Sequence, residues 1–283
     1  MSKFHRKPVT FVGEVSINVL NLADAIAFYE EIIGFRVLEK TNRKAVLTTD
    51  GKTPLLTLEQ PEDVIPKEGR TSGLYHFALL LPTRADLSVF LRHLLTTQYR
   101  FGAADHAVSE ALYITDPDGN GIEVYYDRPS SEWEWANGEV KMVTDPLDGN
   151  SILAESDAAA WSGLPAGTLM GHIHLHVANL KDTEKFYTSG LGFKVVTRYE
   201  GALFTSTGDY HHHIGLNVWN GVGVPTPKKN SVGLNWFTLV YADEEARNKV
   251  IGQLKQIGVE AIQNDEGYVI TDPSGNEIHL VIN

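Results

Sequence analysis

Histidines occur in two short runs that could bind a metal ion or transfer protons. One run, HIHLHV at 172–177, alternates histidine with apolar residues, and the other, HHH at 211–213, is continuous. The chain has 11 histidines and no cysteine. The lack of cysteine excludes disulfides, thiolate catalysis and metal sites with cysteine ligands. The chemistry to consider is therefore that of imidazole, which serves as a metal ligand and as an acid or base near neutral pH.

A second group of reactive side chains lies in the segment ADHAVSEALYITDPDGNGIE. A turn rich in Asp, Pro and Gly separates the strand that carries Tyr113 from the strand that carries Glu123. Side chains on two such paired strands can converge on one face of the sheet. His106 lies in the loop that leads into the first of these strands. The alternative is a structural hairpin with a buried tyrosine and a loop histidine.

The composition is typical of a globular protein and excludes several functional classes. The chain has 283 residues, of which 42% are hydrophobic and 21% are charged. No apolar run approaches the roughly 18–20 residues of a membrane span. The N-terminus lacks the apolar core of a signal peptide. The formal net charge of −12 comes without a basic patch, which argues against nucleic-acid binding. We expect a cytoplasmic protein.

Two phrases of the sequence are repeated. EVSINVLNLADAIAFYEEIIGF at 14–35 aligns without a gap with HIHLHVANLKDTEKFYTSGLGF at 172–193, and both predict a strand followed by a helix. TDPDGNGIEVY at 115–125 is matched by TDPSGNEIHLV at 271–281, and both predict a turn and a strand. In the first phrase, Asn21 is placed to cap the helix.

The repeats divide the chain into four strand–helix–three-strand units. We place these units near 10–60, 72–127, 170–220 and 232–283. The segment at 128–167 lacks clear periodicity and is interpreted as a connection. Its Trp133, Trp135 and Trp161 are expected to pack on the neighbouring units, since indoles are rarely left in water.

The βαβββ unit, with its FY and LGF phrases and its DPDGNGIEVY turn, resembles the vicinal oxygen chelate superfamily of glyoxalases, bleomycin resistance proteins and extradiol dioxygenases. With four units, nearly the whole chain is similar to the extradiol (catechol 2,3-) dioxygenases. The resemblance implies an α+β fold in which four βαβββ modules pair into two domains, each a curved sheet around a cleft. We expect an N-terminal domain at 8–127, a connection at 128–167 and a C-terminal domain at 168–283.

In this superfamily the metal ligands come from the first strand of each unit and the last strand of a pair. The resemblance therefore implies Glu14, His76 and Glu123 as ligands in the first cleft. The family's iron site has two histidines and one carboxylate, whereas this set has two carboxylates. Such harder ligands suit Fe(II) or Mn(II), and Mg(II) is also compatible. The alternative for Glu14 is a salt bridge.

For the second cleft the resemblance implies His172, Asn235 and His279. Strand parity, counted from the apolar residues after the HHH run, turns His213 and His211 toward the cleft and His212 away from it. A site of His172, His213 and His279 would suit Zn(II) or Ni(II). The alternative is a cleft whose histidines bind only water or a tail.

The segment around Tyr113 resembles the extradiol dioxygenase signature, apart from Ala104 at a position where the family has other residues. This resemblance implies His106 as the catalytic acid–base, Tyr113 as a donor to a substrate oxygen and Glu123 as a ligand. It also implies Fe(II) as the cofactor, with Mn(II), Zn(II) or Ni(II) as alternatives. The partners would be a small aromatic diol and O2, without nucleic acid or membrane, and self-association into a homo-oligomer stays open.

Three functions are compatible with these residues. The first is an extradiol dioxygenase that cleaves a catechol-type ring. The second is a glyoxalase-like lyase or isomerase with a redox-inert ion, which Glu14 and Glu123 together would fit. The third is a non-catalytic protein that binds an aromatic compound or confers resistance, which the departures in the second cleft would fit.

Overall fold

The computed structural model describes residues 2–155, 161–265 and 267–282. Within these residues the chain forms four βαβββ units, which confirms the expected fold class. Unit one contains β1 (Phe11–Asn18), α1 (Leu22–Phe28), β2 (Arg36–Lys40), β3 (Lys44–Thr48) and β4 (Leu56–Glu59). Unit two contains β5 (Gly73–Leu80), α2 (Arg84–Thr97), β6 (Gly102–Asp105), β7 (Ser109–Thr115) and β8 (Gly121–Asp127).

The second half of the chain repeats this order after a connecting segment. The connection contains β9 (Trp135–Ala136), β10 (Glu139–Val140) and α3 (Gly149–Leu153), and its residues 156–160 lie outside the described residues. Unit three contains β11 (Leu169–His176), α4 (Leu180–Lys185), β12 (Lys194–Tyr199), β13 (Ala202–Ser206) and β14 (Ile214–Asn217). Unit four contains β15 (Gly233–Tyr241), α5 (Glu244–Gln256), β16 (Ile262–Gln263), β17 (Tyr268–Thr271) and β18 (Glu277–Ile282).

An asparagine caps the N-terminus of the helix in units one and three. The side chain of Asn21 accepts hydrogen bonds from two backbone N–H groups of the first turn of α1, at 2.9 and 3.2 Å. Asn179 caps α4 in the same way with one bond of 3.1 Å. A π-helical turn continues each helix, and the first one ends at Gly34, whose φ of 93° favours glycine. The capping residue predicted from the sequence is thus confirmed.

Two curved sheets hold the four units, but their pairing differs from the expected one. Sheet I has the order β16-β17-β18-β15-β1-β4-β3-β2, and sheet II has the order β12-β13-β14-β11-β5-β8-β7-β6. At the centre of sheet I, β1 runs antiparallel to β15, and at the centre of sheet II, β5 runs antiparallel to β11. Unit one therefore pairs with unit four, and unit two with unit three.

The expectation that units adjacent in the chain share a sheet is wrong for a physical reason. The central strands of all four units carry similar apolar patterns, so the pattern does not select a partner strand. The connections between units are long enough to allow either arrangement. The expected domains, 8–127 and 168–283, consequently do not coincide with the two sheets.

Adjacent units are instead joined by a repeated hydrogen bond between a helix and a turn. The Tyr29 hydroxyl in unit one donates to Asp116 Oδ2 in the turn of unit two, at 2.9 Å. The Tyr187 hydroxyl in unit three donates to Asp272 Oδ2 in unit four, at 3.2 Å. All four residues are buried. The two repeated sequence phrases, FY and TDPxGN, are therefore the two ends of one contact.

The connecting segment packs on the units through two of its three tryptophans. Trp133 is 7% exposed and stacks on Phe4, with ring centroids 5.3 Å apart. Trp161 stacks on His93 at 4.6 Å. Trp135 is the most exposed of the three, at 38%. None of the helices in the described residues has the length and apolarity needed to cross a membrane.

Candidate metal centre and active-site cavity

Three strands at the centre of sheet II bring His76, Glu123 and His172 together. In the register of this sheet, Ala78 on β5 pairs with Glu123 on β8 at one side and with His172 on β11 at the other. His76 lies two residues before Ala78 and therefore points to the same face. The small side chain of Ala78 leaves the space between the three larger groups open.

The potential ligand atoms of these residues are close together and buried. Glu123 Oε2 lies 3.0 Å from His76 Nε2 and 3.2 Å from His172 Nε2. The two imidazole nitrogens are 3.3 Å apart. The three residues are 7%, 3% and 1% exposed, in the order His76, Glu123 and His172. In the described part of the chain, this is the one cluster of three or more such residues that could hold a metal ion.

The electrostatics of the cluster favour binding of a cation. Burial opposes a charge on Glu123, but the charges and hydrogen bonds of His172 and His76 outweigh it, so the pKa of Glu123 lies well below its usual value. Burial lowers the pKa of His172 to about 4, although Glu123 acts in the opposite direction. At neutral pH the cluster thus offers a carboxylate and, at His172, an unprotonated imidazole, the forms that bind metal.

The spacing of these atoms fits three ligands that occupy one triangular face of an octahedral metal ion. Ligand atoms at neighbouring corners of an octahedron, with metal–ligand bonds of about 2.1 Å, are about 3 Å apart. The observed separations of 3.0, 3.2 and 3.3 Å match three mutually adjacent ligands. Two imidazoles and one carboxylate arranged in this way, with the remaining positions open, form the ligand set of non-haem Fe(II) oxygenases.

A cavity of about 410 Å³ opens beside the triad. His76 and Glu123 line it, and so do His106 and Tyr113. His106 Nδ1 donates to the backbone oxygen of Val143 at 2.6 Å, which leaves Nε2 to accept a hydrogen bond from the Tyr113 hydroxyl at 2.6 Å. Burial raises the pKa of Tyr113 well above its usual value, and Glu123 adds to this effect, so the phenol keeps its proton.

The imidazole of His212, which sequence reasoning turned away from the cleft, also lines this cavity. The ring of His212 lies 4.1 Å from that of His172, measured between centroids. His211 Nε2 donates to Asp127 Oδ1 at 2.7 Å, so His211 Nδ1 can accept a bond from His212 Nδ1 at 2.8 Å. In these tautomers His212 Nε2 carries a free lone pair. Burial also lowers the pKa of His212 well below its usual value, so this ring is neutral.

Strand parity failed at this position because the HHH run precedes the strand. The strand β14 begins only at Ile214, so alternation of sides does not extend back to His212 and His213. His213 does not line the cavity; its Nε2 donates to the backbone oxygen of Phe4 at 3.0 Å, and its Nδ1 lies 3.2 Å from Ser206 Oγ. The prediction that His213 faces the cleft and His212 faces away is therefore wrong. The contiguous histidine run itself was the usable signal for His212.

The remaining predicted ligands lie in sheet I and do not join the triad. Glu14 accepts a hydrogen bond from Thr57 Oγ1 at 2.6 Å. His279 stacks on Trp236, with centroids 4.7 Å apart, and its Nε2 lies 3.0 Å from Glu277 Oε1. The structure thus regroups the two predicted ligand sets: His172 joins His76 and Glu123, whereas Glu14 and His279 are separated from them. The different pairing of the units is the reason.

Comparison with known proteins assigns the chain to one family. The sequence profile of the Glyoxalase/Bleomycin resistance protein/Dioxygenase superfamily matches residues 11–124 and 169–280. A protein of Bacillus subtilis (strain 168) named catechol-2,3-dioxygenase is 44% identical over 278 residues, which cover 96% of this chain and 98% of that protein.

Solved structures with low sequence identity share the fold. Glyoxalase I from Zea mays is similar with a TM-score of 0.57 and 15% identity, over 96% of this chain and 92% of that one. The cppA protein from Streptococcus pneumoniae TIGR4 is similar with a TM-score of 0.57 and 12% identity, over 97% of this chain and 100% of that one. At these identities the likeness concerns the fold alone.

Proposed function

Since this chain belongs to the Glyoxalase/Bleomycin resistance protein/Dioxygenase superfamily, we propose that it is a metal-dependent extradiol dioxygenase that cleaves a catechol-type ring with O2. The single observation that carries the proposal is the buried triad of two imidazoles and one carboxylate beside a cavity. The relative named catechol-2,3-dioxygenase, at 44% identity over nearly its full length, supports the same reaction.

Fe(II) is the metal that we propose for His76, Glu123 and His172, with Mn(II), Zn(II) and Ni(II) as alternatives. The donor set leaves the adjacent positions of an octahedral ion free, which is the arrangement of the Fe(II) oxygenases. When bound, such an ion would polarise the two vicinal oxygens of the diol and supply the redox chemistry with O2. This proposed ligand set has two histidines and one carboxylate, unlike the set of one histidine and two carboxylates that was expected from the sequence.

The side chains around the cavity have distinct proposed roles in moving protons. The free lone pair of His212 Nε2 accepts a proton from a diol hydroxyl, since this neutral imidazole adjoins the triad. The Tyr113 hydroxyl donates to His106 Nε2, so its oxygen can accept a hydrogen bond from a substrate hydroxyl. A proton that the substrate gives to the phenol oxygen is matched by the phenol proton passing to His106, so Tyr113 ends as a phenol and His106 is the acid–base group. General acid–base groups of this kind contribute about 10²–10⁴-fold to rate.

The glyoxalase-like hypothesis has lost its main support. Glu14 and Glu123 together on one ion would have fitted this hypothesis, but Glu14 lies in sheet I with Thr57, whereas Glu123 lies in sheet II. The non-catalytic hypothesis rested on departures in a second cleft, and His172 from that predicted site now belongs to the triad.

The test of the proposed function is direct. The protein is loaded with Fe(II) without oxygen, catechol is added, and air is then admitted. Extradiol cleavage of catechol gives a yellow semialdehyde, which is followed by its absorbance. Glu123→Gln is the matched variant that should give no yellow product. A loaded wild-type protein that leaves every catechol uncleaved would contradict the proposal, and so would cleavage between the two hydroxyl carbons. A cytoplasmic location belongs to the same proposal and is tested by cell fractionation.

A further inference from the structure

The cavity beside the triad has properties that select among substrates. Resting on the dioxygenase function proposed above, we propose that the site selects neutral catechols with an apolar ring substituent and discriminates against catechols with an anionic one. The size of the cavity, its lining and its charge each point to this selectivity.

The cavity is larger than a catechol ring requires. Its volume is about 410 Å³, whereas an apolar cavity of roughly 150 Å³ is enough to hold benzene. A diol whose oxygens approach the triad therefore leaves unfilled space on the side of the ring away from His76 and Glu123. A substituent on the ring would occupy that space and shield the apolar walls of the cavity from water.

Much of the cavity wall is apolar or aromatic. The residues that line the cavity include Val108, Met142, Phe204, Tyr75, Tyr199 and Trp219. Three of these, Tyr75, Tyr199 and Trp219, are 40%, 42% and 51% exposed. Large exposed apolar side chains grouped at a cavity mark a surface that a ligand covers. An alkyl or aryl substituent is the chemistry that would gain free energy from these walls.

The indole of Trp219 is exposed but held in a defined orientation. Its Nε1–H donates to the backbone oxygen of Glu200 at 3.3 Å, and its backbone N–H donates to Asn217 Oδ1 at 3.1 Å. Its ring contacts Tyr75 edge to face, with centroids 5.5 Å apart. Because these contacts fix the ring beforehand, little conformational entropy is lost when a substituent packs on it.

The charge of the cavity disfavours a second anion. Among the described residues that line it, the carboxylates are Glu123 and Glu200, and there is no lysine or arginine. A carboxylate on the ring substituent would leave water without a lysine or arginine among these residues to pair with it, which is unfavourable. It would also face the negative charge of Glu200. This residue is exposed, so its repulsion is partly screened by solvent and salt.

The experiment compares two substrates of nearly equal size, 4-ethylcatechol and its acetate analogue homoprotocatechuate. Turnover is measured with the Fe(II)-loaded protein. Binding is measured separately with the Zn(II)-loaded protein, which cannot activate O2, by quenching of tryptophan fluorescence. We expect kcat/KM and affinity to favour the ethyl compound by about tenfold or more, the scale on which hydrophobic pockets separate substrates. Equal values or a preference for the acetate in both measurements would overturn the proposal.

Variants assign the selectivity to particular residues. Glu200→Lys should raise kcat/KM and affinity for the acetate compound. The preference for the ethyl compound should then fall by about fivefold. The control is Glu260→Lys, which makes the same charge change at an exposed residue that does not line the cavity. It should leave the ratio of kcat/KM for the ethyl compound to that for the acetate compound unchanged. Trp219→Ala should reduce the advantage of the ethyl compound by about tenfold, and Trp219→Phe should restore part of it. A ratio that none of the cavity variants changes would overturn the assignment.

The two measurements separate this inference from the proposed function. If no catechol is turned over but the Zn(II)-loaded protein still prefers the ethyl compound, the dioxygenase function is lost and the selectivity stands. If catechols are cleaved without preference and bind without preference, the function stands and the selectivity is refuted.

Discussion

At the scale of single residues, the proposed metal centre depends on an imidazole from the other half of the chain. His172 belongs to unit three, whereas His76 and Glu123 belong to unit two. We expect His172→Ala to weaken metal binding by more than about 100-fold, since even the outer partners of metal ligands contribute 10–100-fold. Elemental analysis and a competitive chelator give the stoichiometry and the Kd. His279→Ala, which removes a predicted ligand that lies in sheet I, is the control and should retain the metal. If His279→Ala lost the metal and His172→Ala retained it, the metal site would have to be assigned to the predicted second cleft.

A second prediction concerns the hydrogen bond between His106 and Tyr113. If this pair acts as one unit, then His106→Ala and Tyr113→Phe should each lower kcat, and the double variant should be little worse than His106→Ala alone. The expected loss for His106→Ala is about 10²–10⁴-fold with the metal content unchanged, since neither residue belongs to the triad. Steady-state kinetics on all three proteins test this. Multiplicative losses would mean that the two residues act independently.

The sequence could identify several of these residues because their spacing is local. Tyr113 and Glu123 were expected to converge across a hairpin, and they are direct partners in the register of β7 and β8. His212 was misplaced because alternation holds only inside a strand, and its run precedes β14. His172 was predicted as a ligand but assigned to other partners, since its neighbours His76 and Glu123 lie 96 and 49 residues away in the chain.

At the scale of secondary structure elements, the repeated phrases are explained by one contact. Tyr29 and Tyr187 each donate to a buried aspartate in the turn of the following unit. Tyr29→Phe leaves the buried carboxylate of Asp116 with one donor fewer, and we expect a loss of about 1–3 kcal/mol in the free energy of unfolding. Tyr187→Phe should have a similar effect through Asp272.

Chemical denaturation measures this effect through the shift of the unfolding midpoint. Tyr99→Phe is the matched control, because the Tyr99 hydroxyl makes an exposed hydrogen bond to the backbone oxygen of Thr115. Its loss should change stability by no more than about 0.5 kcal/mol. Equal midpoints for Tyr29→Phe, Tyr187→Phe and the control would show that the two buried contacts do not stabilise the fold.

At the scale of the whole molecule, the arrangement of the units determines which site exists. The repeats predicted four units and their elements, because alternation, capping residues and turn residues are local signals. They could not predict which central strands pair, since that choice depends on packing across the whole chain. The pairing of unit two with unit three unites His76, Glu123 and His172, and the same pairing leaves Glu14 in sheet I.

The natural absence of cysteine allows this pairing to be tested by engineered disulfides. Leu80 on β5 is the register partner of Leu169 on β11, and Phe11 on β1 is the partner of Val240 on β15. Residues paired in this way have Cα separations of about 4.5–5.5 Å, within the range that a disulfide spans. The variants Leu80→Cys/Leu169→Cys and Phe11→Cys/Val240→Cys should therefore oxidise within one chain, as measured by loss of free thiols in dilute protein.

The matched control joins the strands that would pair if adjacent units shared a sheet. Phe11→Cys/Leu80→Cys carries one cysteine from each of the other two variants, so each single substitution is already tested for folding. Its cysteines lie on β1 and β5, which belong to different sheets, and they should stay reduced. Rapid intramolecular oxidation of this control, together with free thiols in the other two proteins, would restore the pairing of adjacent units. It would also separate His172 from His76 and Glu123, and the metal site would then have to be assigned again.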